Sequence, residues 1–314
     1  MNKLVSAAES LREKLDYVKI DQSKIEEFVE SMRERIIKST HNSFLPKKLN
    51  LTDGIQLMCV FNSINACYWH IEGDEKRWKF GSQDGAQAIF DALYANALDQ
   101  KSIIDASYLS TMTVSEFKNI IGENGELYLI EERVKNLNET GRVLRELYNG
   151  QFENVLKKGE YDAEKILSIL EEQFPSYADT QNLDDVNLPF LKRAQLCIKM
   201  TDEVIESKNG DRIENIEYLT AFADYKIPQR LEQLGILKYD PQLQKIISDK
   251  IEIPKDSHLE IEIRVATILA VQDIVECFQS KIKEFISAAG VDTNLWIDSQ
   301  GEKRNYHLTR TTAY

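Results

Sequence analysis

Leu127, Ile130, Val134, Leu137, Gly141, Leu144 and Tyr148 recur three and four residues apart, so one side of a long helix must be buried along its whole length. The opposite face carries Glu131, Glu132, Arg133 and Lys135. A glycine within the buried stripe marks a place where a neighbour approaches closely. A second pattern predicts a helix from His258 to Ala289, with Ile261, Val265, Ile268, Val275, Phe278, Ile282 and Phe285 inward and Gly290 as its stop. Shorter helices are expected over 162–173, 188–207, 213–223, 226–235 and 240–249. Tyr68-Trp69-His70 and Arg77-Trp78-Lys79-Phe80, flanking Glu72-Gly73-Asp74-Glu75, read as a β-hairpin. The polar stretch from Ala178 to Asn187 reads as a surface loop. The expected fold is mostly α, one compact domain over 1–314 with one short β-hairpin near 68–80, any division into two lobes falling near 178–187.

With 39 lysines and arginines against 52 acids, the net charge is −13, which opposes binding to a nucleic-acid backbone. A few local cations still suffice to hold one phosphate of a small ligand. Cys59, Cys67, Cys197 and Cys277 form no C-x-x-C pair and lie in apolar segments, which fits a reducing cytoplasm. The longest apolar run, Val265 to Val271 broken only by Thr267, is too short to span a bilayer, so no membrane role is expected. His41, His70, His258 and His307 are scattered without metal-ligand spacing, and no metal or cofactor is expected. Phosphate-loop, dinucleotide and nucleophile-elbow signatures do not occur.

The chemistry-bearing stretch is Phe222-Ala223-Asp224-Tyr225-Lys226-Ile227-Pro228-Gln229, at the seam between two helical patterns. Asp224 falls at a helix start, where exposed N–H groups favour a carboxylate. By position alone it reads first as a plain cap, since caps far outnumber catalytic acids at such places, and second as a fixed catalytic acid. Lys192 and Arg193 are adjacent cations that either bind an anion or solvate a helix face. Glu260, Glu262 and Arg264 open the long C-terminal helix, where first-turn acids and an i,i+4 Glu260–Arg264 pair would suit the helix dipole. Trp69, following Asn65, sits where a helix gives way to the hairpin, and Trp296 precedes Asp298; each aromatic reads as pocket wall or core.

Taken together, several segments carry a family likeness: Phe61 to Trp69, Ala106 to Thr113, Glu131 to Gly141, Phe174-Pro175-Ser176-Tyr177 and Leu191 to Gln195. Thr220 to Gln229, Glu260 to Arg264 and the closing order His307, Arg310, Tyr314 complete the set. In this order they resemble the queuosine salvage protein family over nearly the whole chain from about residue 50. Gly81-Ser82-Gln83-Asp84-Gly85 lacks that family's aromatics, and Leu295-Trp296-Ile297-Asp298 alters its Leu-Trp-Asp-Tyr.

The resemblance implies an all-helical fold similar to helix-hairpin-helix DNA glycosylases, and hydrolysis of the N-glycosidic bond of queuosine 5′-monophosphate to release queuine. On it, Asp224 faces the anomeric carbon, Tyr225 and Lys226 flank sugar and phosphate, and Lys192 or Arg193 meets the phosphate. Asn65 and Trp69 line the base pocket, Glu262 or Asp298 meets the side-arm amine, and Arg310 and Tyr314 pack the tail into the fold. Its partner is a small-molecule nucleotide, with no stable nucleic-acid binding. Two other readings use the same residues: a non-catalytic binder of queuine or modified nucleosides, and a nucleic-acid glycosylase, which the charge disfavours.

Overall fold

The computed structural model describes residues 2–32, 42–122, 124–301 and 304–314. Helices α1 (Lys3–Glu9), α2 (Gln22–Met32), α3 (Leu51–Ser63), α4 (Gly85–Asp99), α5 (Ala106–Leu109), α6 (Val114–Ile121) and α7 (Ile130–Leu147) come first. They are followed by α8 (Phe152–Lys158), α9 (Ala163–Gln173), α10 (Lys192–Ser207), α11 (Lys226–Gln233), α12 (Pro241–Ser248), α13 (His258–Ile282) and α14 (Ala288–Asp298). The short strands β1 (Val18–Ile20), β2 (Lys79–Phe80), β3 (Gln83–Asp84), β4 (Thr180–Leu183), β5 (Val186–Pro189) and β6 (Leu237–Tyr239) form antiparallel pairs β1–β6, β2–β3 and β4–β5. The fold is mostly α, as its periodicities require.

Backbone contacts divide the chain into two compact units. The first comprises Met1–Thr40, Asp179–Lys192 and Glu217–Arg310; the second comprises His41–Ala178, Arg193–Ile216 and Thr311–Tyr314.

In the first unit α13 is the central helix. Every residue from Glu260 to Val271 is buried, because α1, α2, α11 and α14 pack around it. A helix apolar on all sides has this fate, and Ile261, Ile263, Val265, Ile268 and Leu269 supply that surface. Ser257 caps its start by accepting from the Glu260 N–H. The helix ends at Ile282, where Lys283 turns left-handed, and a new helix begins after Ser287. The expected continuation to Ala289 is therefore corrected: Phe285 lies in the connection, 69% exposed, and Gly290 sits in the first turn of α14, donating its N–H to the Ser287 hydroxyl.

The segment 178–187 is a hairpin instead of a loop. Gln181 pairs with Leu188 and Leu183 with Val186, joined through Asp184 and Asp185, both at positive φ. Two left-handed residues give the turn whose twist matches a hairpin, and aspartate tolerates that conformation. The early hairpin also shifts. Its strands are β2 and β3, pairing Lys79 with Asp84 around Gly81 at φ 59°, while Tyr68-Trp69-His70 is irregular. Residues 213–223 form only a single 3-10 turn, Ile216–Tyr218, because their backbone bonds go elsewhere. Glu214 exchanges bonds with Tyr161 and Ala163, and the Phe222 N–H is taken by a side chain.

In the second unit, α7 packs closely on α5 at Gly141. A Cβ added there would lie 2.6 Å from Leu109 Cβ, 2.6 Å from Ser110 N and 2.7 Å from Ala106 O. Two of those atoms are backbone and cannot swing away. Gly141→Ala should therefore lower stability by about 1–3 kcal/mol, overriding alanine's helix preference of about 1 kcal/mol. Thermal melting that left the variant at or above the wild type would contradict this packing.

Candidate active site

Residues 219–225 cross the first unit in extended and bent conformations before α11, fixed by buried side chains. The Phe222 N–H donates to Asp292 Oδ2 at 2.8 Å, and Ala223 O accepts from Arg264 Nε at 3.1 Å. Asp224 then turns its carboxylate onto the start of α11. Oδ1 accepts from Lys226 N at 2.7 Å and from Ile227 N at 3.1 Å. The acid thus caps the helix from two residues before its first turn, and Oδ1 carries both bonds. Among the described residues, Oδ2 accepts no hydrogen bond. One oxygen alone anchors the group to the helix.

Tyr225 and Lys226 stay beside it. The Tyr225 ring stacks on Tyr306 at 4.8 Å, and Lys226 Nζ lies 5.0 Å from the centre of the same ring while donating to Gln229 Oε1 at 3.1 Å. Gln229 in turn donates to Arg304 O at 2.5 Å, tying the segment after α14 to α11.

Sequence reasoning passed over Asp292, which lies fully inside the first unit on α14. Burial, and secondarily the negative charge of Asp224, push its carboxyl up to about 8, against the Phe222 N–H and the Lys192 ammonium, which favour the charged form. At neutral pH it therefore holds a proton next to an acid that does not share its environment. A signal existed: Ala289, Asp292 and Leu295 are spaced by three, which puts an acid on the buried stripe of a helix.

Asp292 leaves a mark on stability. An unfolded aspartate titrates near ~4. Between there and about 8 the folded protein holds a proton that the unfolded chain has released. The stabilisation from this group is complete below the unfolded value and is lost as pH rises toward 8. His307 shows the opposite sign: burial first, then the Arg264 charge, depress it to about 3. It remains neutral, and its stabilisation is lost as pH falls below ~6.5.

The remaining predicted residues have defined places. In the first unit, Lys192 opens α10, with its N–H donating to Asp179 Oδ2 at 3.1 Å. Glu262 is buried with Oε1 accepting from Tyr17 N at 2.5 Å and Val18 N at 2.6 Å, and Oε2 lies 3.2 Å from His258 Nε2. That carboxylate holds the entry to β1. Asp298 ends α14, 3.4 Å from Arg230, and Arg310 pairs with Glu252 at 2.6 Å.

In the second unit, Arg193 is buried and donates to Ser63 O and Ser176 O, with its guanidinium 5.6 Å from the Tyr177 ring centre. Arg133 likewise donates to Tyr128 O, Ile64 O, Ala66 O and Cys67 O. Both guanidiniums clasp the turn after α3. Asn65 Nδ2 donates to Asn62 Oδ1 at 3.2 Å, and buried Trp69 stands edge-on to Tyr128 at 5.3 Å. Tyr314 O accepts from Cys67 N at 2.9 Å, and Ala313 and Tyr314 are buried.

A family described as queuosine salvage protein matches residues 45–314. The chain belongs to this family. It is 31% identical over 317 residues to a queuosine 5′-phosphate N-glycosylase/hydrolase of Sphaerobacter thermophilus, covering 96% of this chain and 94% of that protein. Proteins of the same name from Bos taurus and Mus musculus are 31% and 32% identical, each over 81% of this chain and 80% of their own length.

Among the described residues, no group of three or more His, Cys, Asp or Glu side chains is placed to hold a metal ion. No helix among them is long and apolar enough to cross a membrane. Cys59, Cys67 and Cys197 are buried thiols and Cys277 is half-buried, none of them in a disulfide.

In thermal melts at pH 5, 6.5 and 8, Asp292→Asn should gain on the wild type with rising pH, by up to about 1.4 kcal/mol per pH unit. A difference constant across that range would mean that Asp292 is not a buried acid with a raised pKa.

Proposed function

We propose that this queuosine salvage family member hydrolyses the N-glycosidic bond of queuosine 5′-monophosphate, or a close 7-deazaguanine nucleotide, and that Asp224 is the catalytic carboxylate. The observation that carries the assignment is the division of labour on that side chain, with Oδ1 pinned to the start of α11 and Oδ2 unengaged. The relatives' names supply the substrate, and the pinned carboxylate supplies a means of acting on it.

Cleavage leaves the electron pair of the C1′–N bond on the base and makes the sugar oxocarbenium-like. A fixed carboxylate beside C1′ offsets that charge and accepts a hydrogen bond from the attacking water. Because Asp224 is bound before substrate arrives, no reorganisation is required at the moment of reaction. A 7-deaza base has no ring nitrogen at position seven to receive a proton, so its departure requires donors at other edges. Asp292, protonated at neutral pH and within electrostatic reach of Asp224, is a suitable donor. Lys192 and Lys226 are the candidate phosphate cations of this unit, with the Tyr225–Tyr306 stack as an apolar wall. Charge-assisted contacts of this kind contribute about 1.5–3 kcal/mol each.

Purified protein should release queuine from queuosine 5′-monophosphate without added cofactor, and Asp224→Asn should reduce kcat by at least about 100-fold while still binding the nucleotide. Full activity in the variant would remove Asp224 from the mechanism. Tight nucleotide binding by wild type without release would instead identify a carrier.

The proton on Asp292 sets a second expectation. The rate should decline as pH rises through about 8, and the Asp292→Asn variant, which cannot ionise, should lose that limb of the profile. An unchanged alkaline limb in the variant would assign it to another group.

A further inference from the structure

We infer that the buried Arg264–Asp179 ion pair is a positioning device that sets the Asp224 carboxylate and the Lys192 end of the site in register. This rests on the glycosidase reading above. Arg264 and Asp179 touch neither sugar nor base in this scheme; they act through the backbone of their neighbours.

The geometry is a fork with two outputs. Arg264 donates through Nη1 to Asp179 Oδ1 at 2.8 Å and through Nη2 to Asp179 Oδ2 at 2.6 Å, a bidentate arrangement that fixes the guanidinium plane. Nη1 also donates to Gln181 Oε1 at 2.9 Å, and the plane lies 3.9 Å from the Phe190 ring centre. Held in this way, Nε points at Ala223 O, the carbonyl immediately before Asp224. The first output is therefore the direction in which the chain enters Asp224.

The second output runs through Asp179. Its Oδ2 also accepts from Lys192 N at 3.1 Å, and its backbone O accepts from Leu191 N at 3.1 Å, where Leu191 is left-handed at φ 47°. Leucine adopts that conformation at a cost, and the paired bonds to Asp179 stabilise it. The same carboxylate thus fixes the start of α10, and with it Lys192. Glu260 completes the cluster, 3.8 Å from Arg264 Nη1, while its Oε2 accepts from Gln181 Nε2 at 2.6 Å. Lysine at 264 would keep the charge yet could not reach Ala223 O and both Asp179 oxygens at once.

A double-mutant cycle separates positioning from scaffolding. Arg264→Lys should lower kcat about 30-fold or more with KM changed less than about threefold. In an Asp224→Asn background the same substitution should cost less than about threefold, because what it positions is already gone. Equal losses in both backgrounds, or an unaltered kcat, would overturn the proposal. Should Arg264→Lys not fold, Gln181→Met removes one guanidinium contact and should lower kcat about fivefold on the same cycle; no change there is equally decisive against it.

The Lys192 output is read by affinity in the Asp224→Asn background, by calorimetry with queuosine 5′-monophosphate and with the nucleoside. Adding Asp179→Asn should weaken the nucleotide about tenfold and the nucleoside less than threefold, whereas equal weakening of both would detach Asp179 from Lys192. Absence of base release by wild type would sink the glycosidase reading itself, while this binding comparison would still judge the Asp179–Lys192 link.

Discussion

The first unit is organised around a guanidinium in a place where charge is costly. Arg264 is wholly buried on the central helix, and its bonds reach the β4 strand, the residue before it and the stretch leading to Asp224. A buried charge is stable only if its hydrogen-bond capacity is met, and removing one member of such a pair typically costs about 3–5 kcal/mol because the other is left uncompensated. The price in desolvation is recovered as specificity. Three segments far apart in sequence meet at this guanidinium, which bonds Asp179, Gln181 and Ala223 O with Glu260 3.8 Å away. An apolar residue at 264 would pack, but it would not orient a carbonyl.

From that constraint follows the environment of the carboxylates. Asp224 accepts from the N–H groups of a helix start, whereas Asp292 is buried and meets one N–H, the Lys192 ammonium and the negative field of Asp224. Its surroundings alone push the Asp292 carboxyl up to about 8, so that it keeps its proton at neutral pH. That environment needs no unusual residue, only a chain segment pinned on one side by Asp292 and on the other by Arg264.

How far the sequence revealed this depends on the distance over which each feature is encoded. The α7 stripe with Gly141 and the capping role of Asp224 are local, and both were readable from spacing. Family segments added the substrate class and gave Asp224 its weight. The pairing of Glu260 with Arg264 was also visible at i,i+4, but position in the first turn suggested a surface dipole effect; burial came from α1, α2, α11 and α14 closing around the helix, which no local pattern reports. The Asp184-Asp185 turn was missed because left-handed aspartates do not announce themselves as Asn-Gly does. Likewise 213–223 kept helical spacing while its backbone bonds went to Tyr161, Ala163 and Asp292, a tertiary override of a weak preference. Asp292 itself required knowing which face of α14 turns inward.

The pairing of β1 with β6 joins Val18–Ile20 to Leu237–Tyr239, and Glu262 accepts from Tyr17 and Val18 to secure that junction. On a ribosome, this means the first strand emerges more than two hundred residues before its partner. The apolar faces of α1 and α2 must wait through the synthesis of an intervening chain that builds a different unit. Closure over so long a separation makes assembly slow and leaves early surfaces open to wrong partners. The acid that anchors this junction is thus a late-acting lock: the N-terminal segment becomes part of the protein only after α13 has been made.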